Sequence, residues 1–124
     1  MLVRIKNNQA ILIAPFGSIL LTFADGDLIK CELSEAAVEE DLGSFVGHKA
    51  VKALQSYLKG DIHVLDSWKP SEDGTEFRRR VWKEIAKVRA GDTVTYGQIA
   101  DSLDSSPRAV CSACGDNPLP IFVG

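Results

Sequence analysis

The sequence is short of most features that announce a function. Its 124 residues hold three cysteines and only 7% aromatic residues. An odd and low cysteine count fits free thiols in a reducing cytoplasm better than a disulfide scaffold. Apolar runs are brief, and even residues 19–23 are broken by Thr22, well short of the roughly 20 residues a membrane helix needs. Residues 1–7 lack the apolar stretch of a signal peptide. There is no glycine-rich phosphate loop, no Gly-x-Ser-x-Gly elbow, no internal repeat and no low-complexity tract. Membrane and secreted classes are therefore not expected. A chain that is 45% hydrophobic and 25% charged has the balance of a globular protein, with room for one compact domain or two small ones.

An excess of positive charge is also missing, since the formal net charge is −3. The distribution is uneven, however. Residues 1–76 carry 7 basic against 12 acidic side chains, a net of −5, and residues 77–124 carry 7 against 5, a net of +2. Phosphate binding depends on the local field of a patch, so the C-terminal part can bind DNA although the whole chain is acidic. A solvated charged face explains the same split.

The first third reads as strands. Apolar runs at residues 10–14, 19–24 and 28–33 are separated by Pro15-Phe16-Gly17-Ser18 and by Asp25-Gly26-Asp27. Asp-Gly between apolar runs signals a tight hairpin, and an antiparallel sheet of three or more strands is expected. The period then changes. Val46, Ala50, Leu54, Tyr57 and Leu58 fall at helical spacing, and Gly60 stands where a helix-ending glycine belongs. Residues 61–74 show no sustained period and read as a linker. Thr75 can cap a helix with Phe77, Val81, Ile85 and Val88 on one face, Arg78, Arg79 and Lys83 on another, and Gly91 as its stop.

Two short helices are expected next. Thr95-Tyr96-Gly97-Gln98 matches a capping box, with Tyr96, Ile99, Ala100 and Leu103 on one face. Ser106-Pro107 supplies an N-cap followed by proline at the first helical position. Val110, Ala113 and Cys114 then form an apolar face, while Arg108, Cys111 and Ser112 lie elsewhere, and Gly115 ends the helix. Two short helices joined by a short turn are the helix-turn-helix pattern, whose second helix can enter a DNA groove. A strand-like segment at Ile121-Phe122-Val123 closes the pattern. The whole predicts a mixed α/β protein of the α+β kind. An antiparallel-sheet domain occupies residues 1–70, and a mostly helical, winged-helix-like domain with a helix-turn-helix occupies residues 75–124.

Few residues carry chemistry on their own. Cys111 and Cys114 form a C-x-x-C, but Cys31, His48 and His63 lack the spacing to complete a zinc site, and no metal is expected. A thioredoxin-like pair opens a helix after a strand, whereas this one closes a helix. Small core or pocket-lining residues are the plainer account of both thiols. His48 and His63 read as surface residues, and Glu39, Glu40 and Asp41 as a solvated run. Tyr96 and Arg108 stand near the starts of the two short helices, where both can face one ligand; a half-buried tyrosine and a surface arginine are the alternative.

The segments Leu54-Gln55-x-Tyr57-Leu58-x-Gly60, Phe77-Arg78-Arg79-x-Val81-Trp82, Gly91-Asp92-x-Val94-Thr95-Tyr96-Gly97-Gln98-Ile99-Ala100, Pro107-Arg108-Ala109-Val110 and Asn117-Pro118-Leu119-Pro120-Ile121 appear in that order. Together they resemble the O6-alkylguanine-DNA alkyltransferases, also called methylated-DNA–protein-cysteine methyltransferases, from about residue 46 onward. Residues 1–45 match only in kind, as that family's variable strand-rich N-terminal domain. The resemblance implies that Tyr96 pushes on the phosphate of the target nucleotide and that Arg108 fills the space left in the stack. Thr95, Gln98, Ala109 and Ser112 would lie along the DNA backbone and minor groove. Asn117 would be the hinge between recognition helix and active-site strand, with Cys114 and Pro120 lining the alkyl pocket. The implied partner is double-stranded DNA containing O6-alkylguanine, bound by a cytoplasmic monomer (nucleoid-associated, or nuclear in a eukaryote). The implied activity is irreversible transfer of the alkyl group to a protein cysteine, with no cofactor.

In that family the strand matching residues 121–123 runs into Pro-Cys-His-Arg-Val, whose cysteine accepts the alkyl group. Here Gly124 stands at the proline position, and neither Cys111 nor Cys114 matches the acceptor. Three expectations follow from this departure: a segment of a longer alkyltransferase, an alkyltransferase-like protein that binds the lesion without repairing it, or a helix-turn-helix interaction module.

Overall fold

In the computed structural model the described residues are 6–43, 45, 47–66 and 68–123. Val46, Gly124 and residues 1–5 of the sequence reading lie outside them. The chain divides into two units, Met1–Val64 and Leu65–Gly124, and the division falls inside the segment read as a linker.

The first unit is a four-stranded antiparallel sheet with one helix. β1 (Gln9–Ala14), β2 (Gly17–Ala24), β3 (Asp27–Ser34) and β4 (Leu42–Gly43) stand in the order β3-β2-β1-β4. β1 and β2 turn through Pro15-Phe16, with Ala14 opposite Gly17. Asp25 and Gly26 join β2 to β3 with φ of 52° and 81°, the two positive angles of a type I′ turn that matches strand twist. Register slips once between Thr22 and Phe23, because Thr22 faces Lys30 and Phe23 faces Leu28. Ile29 is the extra residue of this bulge and is exposed. Ala10, Leu12, Ile19, Leu21, Phe23 and Cys31 share one face by register and are buried there. The very short β4 was not foreseen, since two residues leave no alternating pattern to read.

Helix α1 (Lys49–Leu58) packs on β1 and buries Ala50, Val51 and Leu54. Its N-cap is His48, whose Nδ1 accepts from the Ala50 amide at 3.0 Å while Nε2 donates to the Gly26 oxygen at 2.7 Å. The His48 ring also packs on Phe23, which stacks on Phe45 with centroids 4.4 Å apart. His48, read as a surface residue, therefore fastens α1 to the β2–β3 hairpin. At the other end Gly60, at φ 113°, follows cap residue Lys59, and the Asp61 amide reaches back to the Ser56 oxygen at 3.0 Å. That is a Schellman close. Asp41 is not a solvated carboxylate either. It accepts from the Ile13 amide and from the Gln55 side chain, each at 2.8 Å, so it ties β1 to α1.

The second unit is helical: α2 (Glu76–Ala86), α3 (Tyr96–Ser102) and α4 (Pro107–Gly115). Val81, Trp82, Ile99, Ala100, Val110 and Ala113 form its core, with Phe77, Ile85, Leu103 and Cys114 half-buried around them. Trp82 is 1% exposed and was absent from the apolar face first assigned to α2. That helix ends at Ala86, before Val88, with Lys87 as its cap. Asp66 and Trp68 make particular contacts in the second unit. Asp66 accepts from the Ala90 amide at 2.9 Å, and Trp68 tilts onto Phe122 with centroids 4.9 Å apart.

Ile121-Phe122-Val123 is a turn and not a strand. Ile121 takes φ 74°, and the Val123 amide donates to the Leu119 oxygen at 2.9 Å. A strand needs a neighbouring strand for its backbone groups, and no strand occurs among the described residues of this unit. Of the winged-helix expectation, these residues show the helical part.

Candidate DNA-binding surface

α3 and α4 are positioned by their caps. Thr95 Oγ1 accepts from the Gln98 amide at 3.0 Å, and Gln98 Oε1 accepts from the Thr95 amide at 2.8 Å. These reciprocal bonds satisfy two amides at a helix start that have no partner within the helix. They also fix where Tyr96, the first helical residue, leaves the backbone. After α3 the chain reverses at Asp104, with φ 54°, and the Ser105 amide closes on the Ala100 oxygen at 2.8 Å. Aspartate tolerates this left-handed conformation better than most side chains. Ser106 Oγ then accepts from the Ala109 amide at 3.2 Å, and Pro107 opens α4.

α4 packs against both α2 and α3. Trp82 Nε1 donates to the Ala113 oxygen at 2.8 Å in a buried setting. Arg78 pairs with Asp116, the C-cap of α4, at 2.7 Å. With Val110 and Ala113 turned inward, Arg108, Cys111 and Ser112 emerge on the exposed side. These three stand at i, i+3 and i+4, hence on one face of the helix.

Tyr96 is 48% exposed, so it does not join the apolar face of α3 to which it was first assigned. Its phenol instead lies near the Cys111 and Cys114 thiols of α4. The proximity of Cys111 and then Cys114 pushes the Tyr96 hydroxyl above its ordinary range, so it stays a neutral donor. Cys111 is the structural link between the two candidate residues. It lies near Tyr96, and on α4 it neighbours Arg108 one turn earlier.

The other predicted residues take varied places. Thr95 and Gln98 are exposed at the start of α3, Ser112 is exposed on α4, and Ala109 is half-buried. Cys114 is half-buried at the rim of the core. Asn117 Nδ2 donates to the Val123 oxygen, at 2.6 Å, and its Oδ1 accepts from the Leu119 amide at 3.0 Å. Asn117 thus shapes the turn after α4, next to half-buried Pro120. Exposed Arg80 belongs with the basic side chains of α2, although helical spacing had assigned only Arg78, Arg79 and Lys83. The Arg78–Asp116 pair spans 38 positions, a separation that spacing cannot reveal. Among the described residues no group of three His, Cys, Asp or Glu side chains could hold a metal ion, and no helix is long and apolar enough to cross a membrane.

A sheet-and-helix protein carrying a capped helix-turn-helix with an exposed tyrosine and arginine has the form of a DNA-binding protein. Comparison with known proteins narrows the class. Residues 76–124 match the family model described as 6-O-methylguanine DNA methyltransferase, DNA binding domain. A methylated-DNA–protein-cysteine methyltransferase of Metallosphaera sedula is 36% identical over 112 residues, covering 89% of this chain and 70% of the relative. One from Mycobacterium bovis is 39% identical over 85 residues, which are 67% of this chain and 50% of that protein. The crystal structure of Mycobacterium tuberculosis O6-methylguanine methyltransferase aligns with TM-score 0.67 and 30% identity over 90% of this chain and 72% of its own. A structure of Mycobacterium tuberculosis OGT in complex with DNA aligns with TM-score 0.64 at 26% identity, over 90% of this chain and 71% of its own. The chain belongs to the methylated-DNA–protein-cysteine methyltransferase family. Its mixed α/β fold is the one seen in those structures. A helix-turn-helix module without DNA chemistry is not favoured.

Proposed function

We propose that this chain is the lesion-recognising part of a DNA repair protein that acts on O6-alkylguanine. Residues 75–124 bind the duplex, and residues 1–70 form the accompanying α/β domain. α4 approaches the minor groove with half-buried Ala109 and exposed Ser112 against the sugars and backbone, while Thr95 and Gln98 approach the backbone from the start of α3. Neutral Tyr96 donates to the phosphate of the target nucleotide and turns it outward. Arg108 occupies the vacated place, which offsets the lost stacking.

The observation that carries this reading is the junction of Tyr96 and Arg108 across Cys111, with both side chains exposed. Cys114 and Pro120 line the pocket for the alkyl group, and Asn117 is the hinge beneath it. The acceptor of the family reaction lies in a Pro-Cys-His-Arg segment that is not among these 124 residues. Recognition and extrusion of the alkylated base are the steps these residues serve. It acts as a monomer in the cytoplasm, associated with the nucleoid or, in a eukaryote, in the nucleus, and the reaction it serves needs no cofactor.

The test compares the 124-residue protein on duplexes with and without O6-methylguanine at moderate salt, with a fluorescent base analogue beside the lesion. Tighter binding to the lesion duplex, with a rise in fluorescence that Tyr96→Phe diminishes, is expected. Equal affinity for both duplexes is what phosphate attraction alone gives, and it would refute the proposal.

A further inference from the structure

Cys111 and Cys114 both stand on α4, the helix proposed above to face DNA. Cys111 is exposed and Cys114 half-buried. Three residues apart on a helix, their Cα atoms are separated by about 5 Å, inside the range a disulfide spans. Their Cβ atoms, roughly 5–6 Å apart on an ideal helix, must approach to about 4 Å. The last turn of α4 is where that movement is cheap, because Cys114 is followed by Gly115, which has open space around it. Cys31 is buried in the first unit.

We propose that Cys111 and Cys114 are a modification site for small disulfides such as glutathione disulfide, and that closing the pair withdraws the DNA-facing surface. The exposed Cys111 thiolate attacks one sulfur of glutathione disulfide, forms a mixed disulfide and releases one glutathione thiolate. The Cys114 thiolate then attacks the Cys111 sulfur and expels the second glutathione. Two protein thiols are oxidised to one S–S bond, one glutathione disulfide is reduced to two thiols, and the two protons leave with the glutathiones. Burial and the neighbouring Cys111 push the Cys114 thiol up, so closure is slow near neutral pH and becomes faster as pH rises. Closure draws the Cys111 sulfur away from the Tyr96 hydroxyl and tightens the turn that ends at Asp116, the partner of Arg78. The chemistry stands on the thiol pair alone; its effect on binding rests on α4 facing DNA as proposed above.

The full 124-residue protein is incubated with glutathione disulfide and analysed by intact mass and peptide mapping. Loss of two hydrogens, mapped to a Cys111–Cys114 bond with Cys31 still free, is expected. Duplex affinity should fall by about tenfold and return with dithiothreitol, while the affinity of Cys111→Ser is the same before and after the oxidant. Stable glutathione adducts without an internal bond, or a bond through Cys31, would overturn the site. An oxidised protein that binds duplex as tightly as the reduced one would overturn the switch. If the reduced protein fails to bind duplex, the proposed function falls with the switch, and mapping still decides the thiol pair.

Discussion

The indole Nε1 of Trp82 donates to the backbone oxygen of Ala113, so α2 holds α4 by one buried hydrogen bond of 2.8 Å. Ala113 is in the last turns of α4, and this anchor sets how the exposed face bearing Arg108 is presented. Trp82→Phe removes the shorter of two donors to the Ala113 oxygen, which keeps the Asp116 amide at 3.2 Å, and takes ring volume from the core. A loss of about 2 kcal/mol or more is expected for the second unit. Trp68 and Trp82 both lie in that unit. Denaturation of the variant followed by the fluorescence of Trp68 therefore reports the loss, and an unchanged midpoint would show that the bond carries no weight.

Arg108 is exposed and makes no hydrogen bond that shapes α4. Arg108→Ala should therefore leave the fold intact and weaken lesion-duplex binding by about 2 kcal/mol, some thirtyfold. Gel-shift titrations of the two proteins at one salt concentration measure it. Equal affinities would remove Arg108 from the site.

Asp41 joins β1 to α1 through Ile13 and Gln55. Asp41→Ala breaks both bonds, and a loss of roughly 1–2 kcal/mol in the first unit is expected. Faster hydrogen exchange at the Ile13 amide, with the Val81 amide in the other unit unaffected, is the local signature. Unaltered exchange at Ile13 would return Asp41 to the solvated run.

Burial, with Glu32 beside it, pushes the Cys31 thiol from 9.0 up to about 12. Between those values the unfolded chain releases this proton and the folded chain keeps it, so the unfolded state binds fewer protons. The contribution is whole below pH 9 and is lost as pH climbs toward 12, at up to about 1.4 kcal/mol per pH unit. Urea midpoints by circular dichroism at pH 8 and 10.5 should converge for the native protein and Cys31→Ala. A constant difference between them would mean that Cys31 ionises freely.

Sequence by itself determined whatever depends on neighbours along the chain. The Asp25-Gly26 turn, the Thr95–Gln98 capping box, the Ser106-Pro107 start of α4 and the inward positions of Val110 and Ala113 are local, because caps and helical period act over three or four residues. The ordered motifs from Leu54 to Ile121 revealed the family for the same reason, since each is a short run.

Only the tertiary structure decided the rest. Strand-like composition at residues 121–123 became a turn because the second unit offers it no strand among its described residues. His48 and Asp41 looked like surface residues until the hairpin carbonyl at Gly26 and the amide of Ile13 came within reach. Trp82 meets Ala113 across 31 positions, and Tyr96 comes near Cys111 only once α3 packs on α4. Such pairings are chosen by burial and the satisfaction of polar groups in the folded chain, and no periodicity in the sequence encodes them.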